Sequence, residues 1–300
     1  MRIGLTGASG FIGSALRQAL ESRGDDVVRF VRPGARTGVD TVRWAPATGD
    51  LDRTELERVG PLDAIVNLAG VGIGDRRWSD ARRQQIVSSR LDATHLITAI
   101  AREFAVPHLV SASAVGYYGS RADEVLDESS TPGDGFLARL CVDWEDAAAP
   151  GETLRVSHLR TGIVLDRRGG ALKRQLTLFE WGLGGRLGSG DQWLSPISLR
   201  DAVRAILWVL DTVPTGPVNL VAPECVRNSD FTRVLAHALR RPAVLAVPAF
   251  TLRLVLGADL ADELILASQR VTPHVLLERG FSFADATLSE ILSTALATTS

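Results

Sequence analysis

The stretch Met1-Arg-Ile-Gly-Leu-Thr-Gly-Ala-Ser-Gly-Phe-Ile-Gly13 opens the chain as a short apolar segment followed by glycines at positions 7, 10 and 13. Gly7 permits a tight turn, Gly10 lets the backbone approach a phosphate, and Gly13 lets the following helix pack on the strand. Because a helix N-terminus presents free N–H groups and a favourable dipole, this strand, turn and helix predict a pyrophosphate-binding site. Its predicted lining residues are Gly7, Ser9, Gly10, Phe11, Ile12 and Gly13.

The end of the second predicted strand, Val27 to Arg32, bears on which dinucleotide binds there. An acidic residue at about this distance past the glycines accepts hydrogen bonds from the ribose 2′-OH of NAD, whereas a guanidinium suits the 2′-phosphate of NADP. Arg32 ends this strand with no Asp or Glu beside it. The sequence therefore favours NADP(H), and a solvated arginine at a strand end is the alternative.

The composition limits the size of the core and the classes of partner. With 300 residues and 45% hydrophobic content, the chain can bury one large core or a core with a smaller lobe. A net charge of −2 gives no footprint for nucleic acid or an anionic membrane, and no apolar run is long enough to span one. Cys141 and Cys225 lie far apart and the histidines are scattered, so we predict neither a disulfide framework nor a metal site. We expect a cytoplasmic protein with a small-molecule substrate, as either a monomer or a dimer.

Apolar strands alternate with helical segments through the first half of the chain. Strands are predicted at Asp63 to Gly70, His108 to Ser113 and Leu154 to Leu159, and helices at about 79–104 and 136–149. This alternation predicts an α/β fold, a Rossmann-type doubly wound parallel sheet that binds ligands at the carboxyl ends of its strands.

The character of the sequence changes after about residue 165. Glycines cluster between 169 and 190, and the tail from Asn228 onward is mostly helical in pattern. We predict an NADP-binding domain over 1–165, completed by about 198–222, and a smaller, mostly helical C-terminal lobe on the substrate side formed by 166–197 and 223–300. Gln192, Trp193 and Ser195 of the glycine-rich segment are candidates for substrate contact.

Several motifs in order extend this pattern over nearly the whole chain. They are Gly7-x-x-Gly10-x-x-Gly13, Asn67-Leu-Ala-Gly70, Arg76-Arg77-Trp78, Ser88-Ser89-Arg90, Ser111-Ala-Ser-Ala-Val-Gly-Tyr-Tyr118, Asp143-Trp144-Glu145, Leu159-Arg-Thr-Gly162 and Gly280-Phe-x-Phe283. Together they resemble the atypical extended short-chain dehydrogenases/reductases of the nucleoside-diphosphate-sugar epimerase-like family, which carry a helical C-terminal segment. The resemblance implies NADP as cofactor and contacts to it from Val31, Arg32, Leu68, Ala69, Gly70, Gln85, Arg90, Ser111 and Val164.

The usual catalytic pair of that superfamily is missing from the sequence. Ordinary members use Tyr-x-x-x-Lys, in which the lysine lowers the pKa of the tyrosine that exchanges a proton with the substrate. This chain has one lysine, Lys173, and Gly169 stands four residues before it. The predicted helix that should carry the pair has no tyrosine, so another group has to polarise the substrate.

Three hydroxyl groups are the remaining catalytic candidates: Ser113, Tyr117 and Tyr118. Ser113 follows a predicted strand and could hydrogen-bond a substrate oxygen, with a turn-capping hydroxyl as the alternative. Either tyrosine could supply a proton, although a packed aromatic pair is the simpler interpretation. Tyr117-x-x-x-Arg121 keeps the spacing of tyrosine to cation but falls in a loop.

Other charged groups have simpler interpretations. The carboxylates at 127, 128, 143, 145 and 146 are expected to be solvated, and the arginines at 76, 77, 82 and 83 either bind phosphate or solvate a helix.

Two functions follow from these observations. One is an NADP-dependent oxidoreductase or epimerase acting on a small hydroxyl or carbonyl compound, with a nucleotide-linked sugar as one candidate substrate. The alternative is a non-catalytic NADP(H) sensor that regulates a partner.

Overall fold

An eight-stranded sheet organises the computed structural model, which describes residues 1–297. The strands are β1 (Arg2–Thr6), β2 (Asp26–Val31), β3 (Thr41–Ala45), β4 (Asp50–Leu51), β5 (Ala64–Asn67), β6 (His108–Ala114), β7 (Val125–Leu126), β8 (Arg155–Thr161), β9 (Ile163–Asp166), β10 (Gly185–Leu187), β11 (Trp193–Leu194), β12 (Pro196–Ser198), β13 (Gly216–Leu220), β14 (Val226–Arg227), β15 (Leu245–Val247) and β16 (Arg270–Val271). The helices are α1 (Phe11–Arg23), α2 (Arg53–Val59), α3 (Asp80–Glu103), α4 (Phe136–Ala147), α5 (Gly170–Glu180), α6 (Leu199–Thr212), α7 (Asn228–Leu239), α8 (Ala249–Leu256), α9 (Ala258–Leu260), α10 (His274–Glu278) and α11 (Leu288–Leu296). A 3₁₀ turn at Val115–Tyr118 and a π-helical turn at Ala261–Ile265 complete the elements.

The strand order of the sheet is β13-β8-β6-β5-β1-β2-β3-β4. All neighbours pair in parallel except β4, which is antiparallel to β3. The chain runs outward from β1 in one direction through β2 and β3, and then in the other direction from β5. This reversal opens a crevice at the carboxyl ends of β1 and β5, where doubly wound sheets bind ligands. The predicted Rossmann-type fold is confirmed.

Helices cover both faces of the sheet because alternate strand residues are apolar on each side. Leu5 and Val110 pack in the core beneath α1 and α6, while Ile65 and Leu109 pack in the core beneath α2 and α3. The strands predicted at 63–70, 108–113 and 154–159 appear as β5, β6 and β8. The two predicted helices appear as α3 and α4.

The C-terminal part is mostly helical, as predicted. Its α11 packs with α5 and α7 in a separate apolar cluster, whereas Leu276 and Phe281 pack in the sheet core beside α6. The division into domains at 1–165 with 198–222, and 166–197 with 223–300, stays a prediction, and residues 298–300 of it lie outside the described part. Within residues 1–297, no helix combines the length and the apolar character needed to cross a membrane.

Candidate dinucleotide crevice and its polar network

The glycine turn between β1 and α1 has the geometry that the sequence predicts. Gly7 has a φ of +66°, and a methyl group added there would lie 2.6 Å from the carbonyl oxygen of Leu68. A methyl group on Gly13 would lie 2.1 Å from the carbonyl oxygen of Gly7, so only glycine lets α1 approach the turn this closely. No side chain caps α1 and no acidic residue stands in its first turn, so within the described residues its N–H groups remain available to an anion.

The loop after β5 lies against this turn. The Thr6 hydroxyl donates to Asn67 Oδ1 at 2.7 Å and accepts the backbone N–H groups of Leu68 and Ala69 at 3.0 and 3.1 Å. Leu68 and Ala69 are half-buried and Gly70 is exposed. These bonds fix the second wall of the crevice, where three predicted contact residues are brought next to the glycine turn.

Arg32 directly follows β2, at the same edge of the sheet. Its side chain is exposed and has no hydrogen-bond or ion-pair partner in residues 1–297, and Val31 before it is half-buried. The exposed Arg36 also has no ion-pair partner there. An unpaired guanidinium at this edge of the sheet is suited to bind a phosphate group.

Arg90 of α3 lies buried beneath the loop after β5. It donates to the carbonyl oxygens of Ile86 and Val71, each at 3.1 Å, and its guanidinium stacks 5.0 Å from the Trp144 ring centroid. Burial lowers the pKa of Arg90 to about 10. A methyl group on Gly70 would be 3.4 Å from this side chain. Arg90 therefore shapes the crevice floor.

The other predicted cofactor contacts occupy different positions. Gln85 is exposed on α3 and accepts a hydrogen bond from Arg82 at 2.5 Å. Val164 is 8% exposed in β9, and Ser111 is fully buried in β6 with no partner for its hydroxyl in residues 1–297. All the predicted cofactor contacts stay predictions; the glycine turn, β2 end and β5 loop are the ones that line a single crevice.

Ser113 belongs to a buried polar network that the sequence did not predict. Its hydroxyl donates to Glu145 Oε1 at 2.7 Å. Arg160 of β8 donates to both oxygens of the same carboxylate at 2.8 Å, and the two side chains are only 4% and 12% exposed. Burial opposes the charge of Arg160, but the bonds to Glu145 outweigh it and raise the pKa of Arg160. The network thereby orients the Ser113 hydroxyl.

The two tyrosines have different environments. Tyr118 is fully buried; its hydroxyl donates to Asn219 at 2.7 Å and accepts from Arg160 at 3.1 Å, and burial raises its pKa to about 12. Tyr117 is half-buried with the Arg160 guanidinium 3.4 Å from its ring centroid, and its hydroxyl has no partner in residues 1–297. Arg121 pairs with Glu124 instead, at 2.7 Å.

The three predicted substrate contacts bind other parts of the chain. Gln192 donates to the carbonyl oxygens of Leu187 and Ile265 at 3.1 and 3.3 Å, and Ser195 donates to that of Gln269 at 2.7 Å. Trp193 donates to Asp123 at 2.7 Å between two arginine side chains. These bonds hold the glycine-rich segment, and a substrate role for the three stays a prediction.

Two expectations about carboxylates are wrong. Glu145 is paired with Arg160 instead of solvated, because α4 turns it towards the sheet. Glu128 is half-buried and accepts the backbone N–H groups of Asn219 and Val275 at 2.9 and 3.2 Å; burial raises its pKa. Asp143 and Asp146 are exposed, as predicted. A signal was available for the first pair, because an arginine in a strand predicted to lie inside the sheet needs a buried partner.

Six apolar side chains, which we call the apolar wall, pack in one cluster around the start of α4. The wall joins the loop after β5, the start of α4 and the π-helical turn, and consists of Val71, Ile73, Phe136, Leu137, Leu264 and Ile265. Leu137 approaches the 3₁₀ turn that carries Tyr117, since a methyl group on Gly116 would lie 3.5 Å from Leu137 Cβ. Glu263 caps α4 by accepting the N–H groups of Phe136 and Leu137 at 3.0 and 2.7 Å.

Comparison with known proteins agrees with this geometry. Residues 3–138 match the model of the NAD dependent epimerase/dehydratase family, and residues 247–295 match a domain of unknown function, DUF1731. An epimerase family protein of Mycobacterium bovis, Mb2239, is 43% identical over 97% of this chain and 96% of its own length. Epimerase family protein SDR39U1 of Bos taurus is 37% identical over 99% of this chain and 100% of its own.

Solved structures similar to this chain also include epimerase family proteins. Human epimerase family protein SDR39U1 (isoform 2), solved with NADPH, superposes with a TM-score of 0.89 at 32% identity over 98% of this chain and 99% of that one. A nucleoside-diphosphate sugar epimerase from Corynebacterium glutamicum reaches 0.79 at 31% identity, over 99% of this chain and 58% of that one. The chain therefore belongs to the NAD dependent epimerase/dehydratase family, among the epimerase family proteins that include SDR39U1.

Proposed function

We propose that the chain is an NADPH-dependent oxidoreductase of the short-chain dehydrogenase type that acts on a small carbonyl or hydroxyl compound. The glycine turn carries the proposal, because it presents the uncapped N-terminus of α1 where the strand order reverses. The family membership of the chain and the NADPH held by human SDR39U1 support it.

The residues at the crevice fit a dinucleotide. The N–H groups of Phe11 and Ile12 would hold the pyrophosphate, since no carboxylate competes for them in the first turn of α1. Arg32, free of partners in residues 1–297, would bind the 2′-phosphate that distinguishes NADPH from NADH. Bound NADPH supplies a hydride to the substrate carbon.

Tyr117 is the group we assign to proton exchange at the substrate oxygen. Its hydroxyl has no partner in residues 1–297, while its ring is held by Arg160 on one side and the Tyr118 ring at 5.4 Å. The Tyr118 hydroxyl is committed to Asn219 and Arg160. We therefore assign Tyr118 to holding the network in place.

Ser113 is the group we assign to substrate orientation. Because its proton points to Glu145, its oxygen lone pairs are left for the crevice. Ser113 then accepts a hydrogen bond from the hydroxyl of an alcohol substrate, or from the hydroxyl that forms when a carbonyl substrate is reduced. Tyr117 stands four residues further on. This division of roles replaces the tyrosine and lysine pair with groups from β6 and its following turn.

One observation favours the alternative of a non-catalytic NADPH sensor. The part of α4 that carries the catalytic pair in ordinary members is apolar here, with Phe136 and Leu140 in one cluster with Trp78. A sensor needs the dinucleotide crevice but not Tyr117. Tyr117→Phe therefore distinguishes the two functions, because it should abolish turnover by an oxidoreductase and leave a sensor unaffected.

The first test is calorimetric titration of the purified protein with NADPH and NADH. We expect Arg32→Glu to weaken NADPH binding by about 30-fold, equivalent to about 2 kcal/mol for a lost charge-assisted contact, with little change for NADH. Arg233→Glu is the control, since this arginine is 73% exposed on α7, away from the crevice.

The outcomes separate the claims. Binding of neither nucleotide would overturn the cofactor assignment, and equal affinities unaffected by Arg32→Glu would overturn the 2′-phosphate contact. NADPH consumption with a panel of aldehydes and ketones, abolished by Tyr117→Phe with NADPH affinity intact, would support the oxidoreductase. Tight NADPH binding without turnover across the panel would favour the sensor.

A further inference from the structure

The crevice contains a substrate-side surface whose chemistry differs from what the name of the Corynebacterium relative suggests. Leu137 of the apolar wall approaches the 3₁₀ turn that carries Tyr117, so we expect a substrate held against Tyr117 to reach the wall. Five of its six members are half-buried and leave apolar area for a ligand: Val71, Ile73, Phe136, Leu264 and Ile265. None of the six can donate or accept a hydrogen bond through its side chain.

The helix end in this wall is closed to anions. A helix N-terminus is a ready site for a phosphate, and α4 begins in the wall. Glu263 already occupies that position, with its carboxylate on the N–H groups of Phe136 and Leu137. Its negative charge would also repel a diphosphate, which makes an anionic group at this end of the crevice unfavourable.

The arginines around the wall are mostly engaged as well. Arg83 pairs with Asp259, and Arg174 pairs with Asp75 in the loop after β5. Arg82 donates to Gln85 and to the carbonyl oxygen of Gly72, each at 2.5 Å. In residues 1–297, Arg76 and Arg77 are exposed and have no ion-pair partner. The Arg83 guanidinium lies 5.9 Å from the Phe136 ring centroid, but its charge is paired with that of Asp259.

We propose that the substrate carries an uncharged apolar group, which the apolar wall binds while the carbonyl or hydroxyl carbon lies beside Ser113 and Tyr117. The proposal rests on the oxidoreductase function above and makes the substrate a small apolar ketone, aldehyde or alcohol instead of a nucleotide-linked sugar. It also gives the segment matched as DUF1731 a role, because Leu264 and Ile265 supply the wall and Glu263 closes the helix end.

A series of 2-alkanones from 2-butanone to 2-octanone tests the wall by isothermal calorimetry, with UDP-glucose as the nucleotide-linked probe. Ketones are suitable because they react poorly with amines, and the chain has one lysine. We expect the dissociation constant to fall about fourfold for each added methylene until the wall is covered, from the free energy of burying one such group. UDP-glucose should bind more weakly than the longest ketone.

Leu264→Asp is the decisive variant, because it places a charge in the wall. It should remove the dependence of ketone affinity on the length of the alkyl group and leave NADPH affinity unchanged. Leu254→Asp is the matched control: this leucine lies on α8, in the same segment, with 73% exposure, and should keep the dependence. If Leu264→Asp does not fold, Leu264→Ala should still weaken the binding of the longest ketone several-fold.

The ketone series is run without cofactor and with NADP⁺, which cannot reduce a ketone, and NADPH binding is measured separately, so the two proposals fail separately. Absence of NADPH binding refutes the cofactor assignment, while the series without NADPH still reports on the wall. Affinity that is independent of chain length overturns the apolar substrate. UDP-glucose binding that is tighter than every ketone and insensitive to Leu264→Asp overturns it too.

Discussion

Arg160→Met is the substitution that tests the polar network most directly. The guanidinium of Arg160 makes two bonds of 2.8 Å to Glu145, one of 3.1 Å to the Tyr118 hydroxyl, and a stacking contact with the Tyr117 ring. Methionine fills much of the same volume but removes every donor. The Glu145 carboxylate, 12% exposed, then keeps only the Ser113 hydroxyl as a partner.

The expected cost follows from this burial. Removing one partner of a buried ion pair costs about 3–5 kcal/mol, because the remaining charge is left without compensation. We expect Arg160→Met to lower the free energy of unfolding by about 4 kcal/mol. Glu145→Gln should cost somewhat less, since the Arg160 guanidinium keeps the Tyr118 hydroxyl and a backbone carbonyl at 3.4 Å as acceptors. The double variant should cost no more than the worse single one.

Equilibrium urea unfolding followed by far-UV circular dichroism measures all three variants, and the double-mutant cycle isolates the interaction energy of the pair. Arg233→Met is the control, because its pair with Asp230 is exposed on α7 and should contribute less than about 1 kcal/mol. A cost below about 1 kcal/mol for Arg160→Met, or strictly additive costs for the two single variants, would refute the reasoning.

Two further predictions concern pH and the glycine turn. Burial lowers the pKa of His108 to about 4, so the unfolded chain takes up this proton near pH 6.5 and the folded chain does not. The free energy of unfolding should therefore fall by up to about 3 kcal/mol between about pH 6.5 and 4. When the urea midpoint is plotted against pH, His108→Gln should flatten the curve and the exposed His274→Gln should not. A His108→Gln curve parallel to that of the unmodified protein would contradict the assignment. Gly13→Ala should abolish NADPH binding in a calorimetric titration, because its methyl group would lie 2.1 Å from the Gly7 carbonyl oxygen. Gly151→Ala, whose nearest neighbour would be 3.5 Å away, should bind NADPH normally, and normal binding by both would show that the turn tolerates a side chain.

The fold was predictable because its determinants are local in sequence. The three glycines within seven residues and the strand patterns of β5, β6 and β8 each involve residues that are close together in the sequence. All of these elements appear in the structure. The helical C-terminal part was predictable for the same reason. What the pattern did not predict is that Leu276 and Phe281 return to the core of the sheet, because that depends on packing between distant segments.

The candidate site likewise has parts that the sequence predicted and contacts that it did not. The turn at Gly7 and the exposed Arg32 were found from position alone. The contact between Glu145 and Arg160 was missed, since one residue lies on a helix and the other on a strand and only the packing of α4 brings them together. Glu263 was missed for the same reason, because its carboxylate caps a helix that begins far earlier in the chain.

The position of Leu276 and Phe281 has a consequence for how the protein is made. Both residues leave the ribosome after every strand of the central sheet, yet they complete the core between that sheet and α6. The nascent sheet therefore exposes apolar surface until they emerge, and such surface is what chaperones bind and what drives aggregation. A chain truncated before Leu276 would keep this apolar surface exposed, even though every residue of its dinucleotide crevice had been translated.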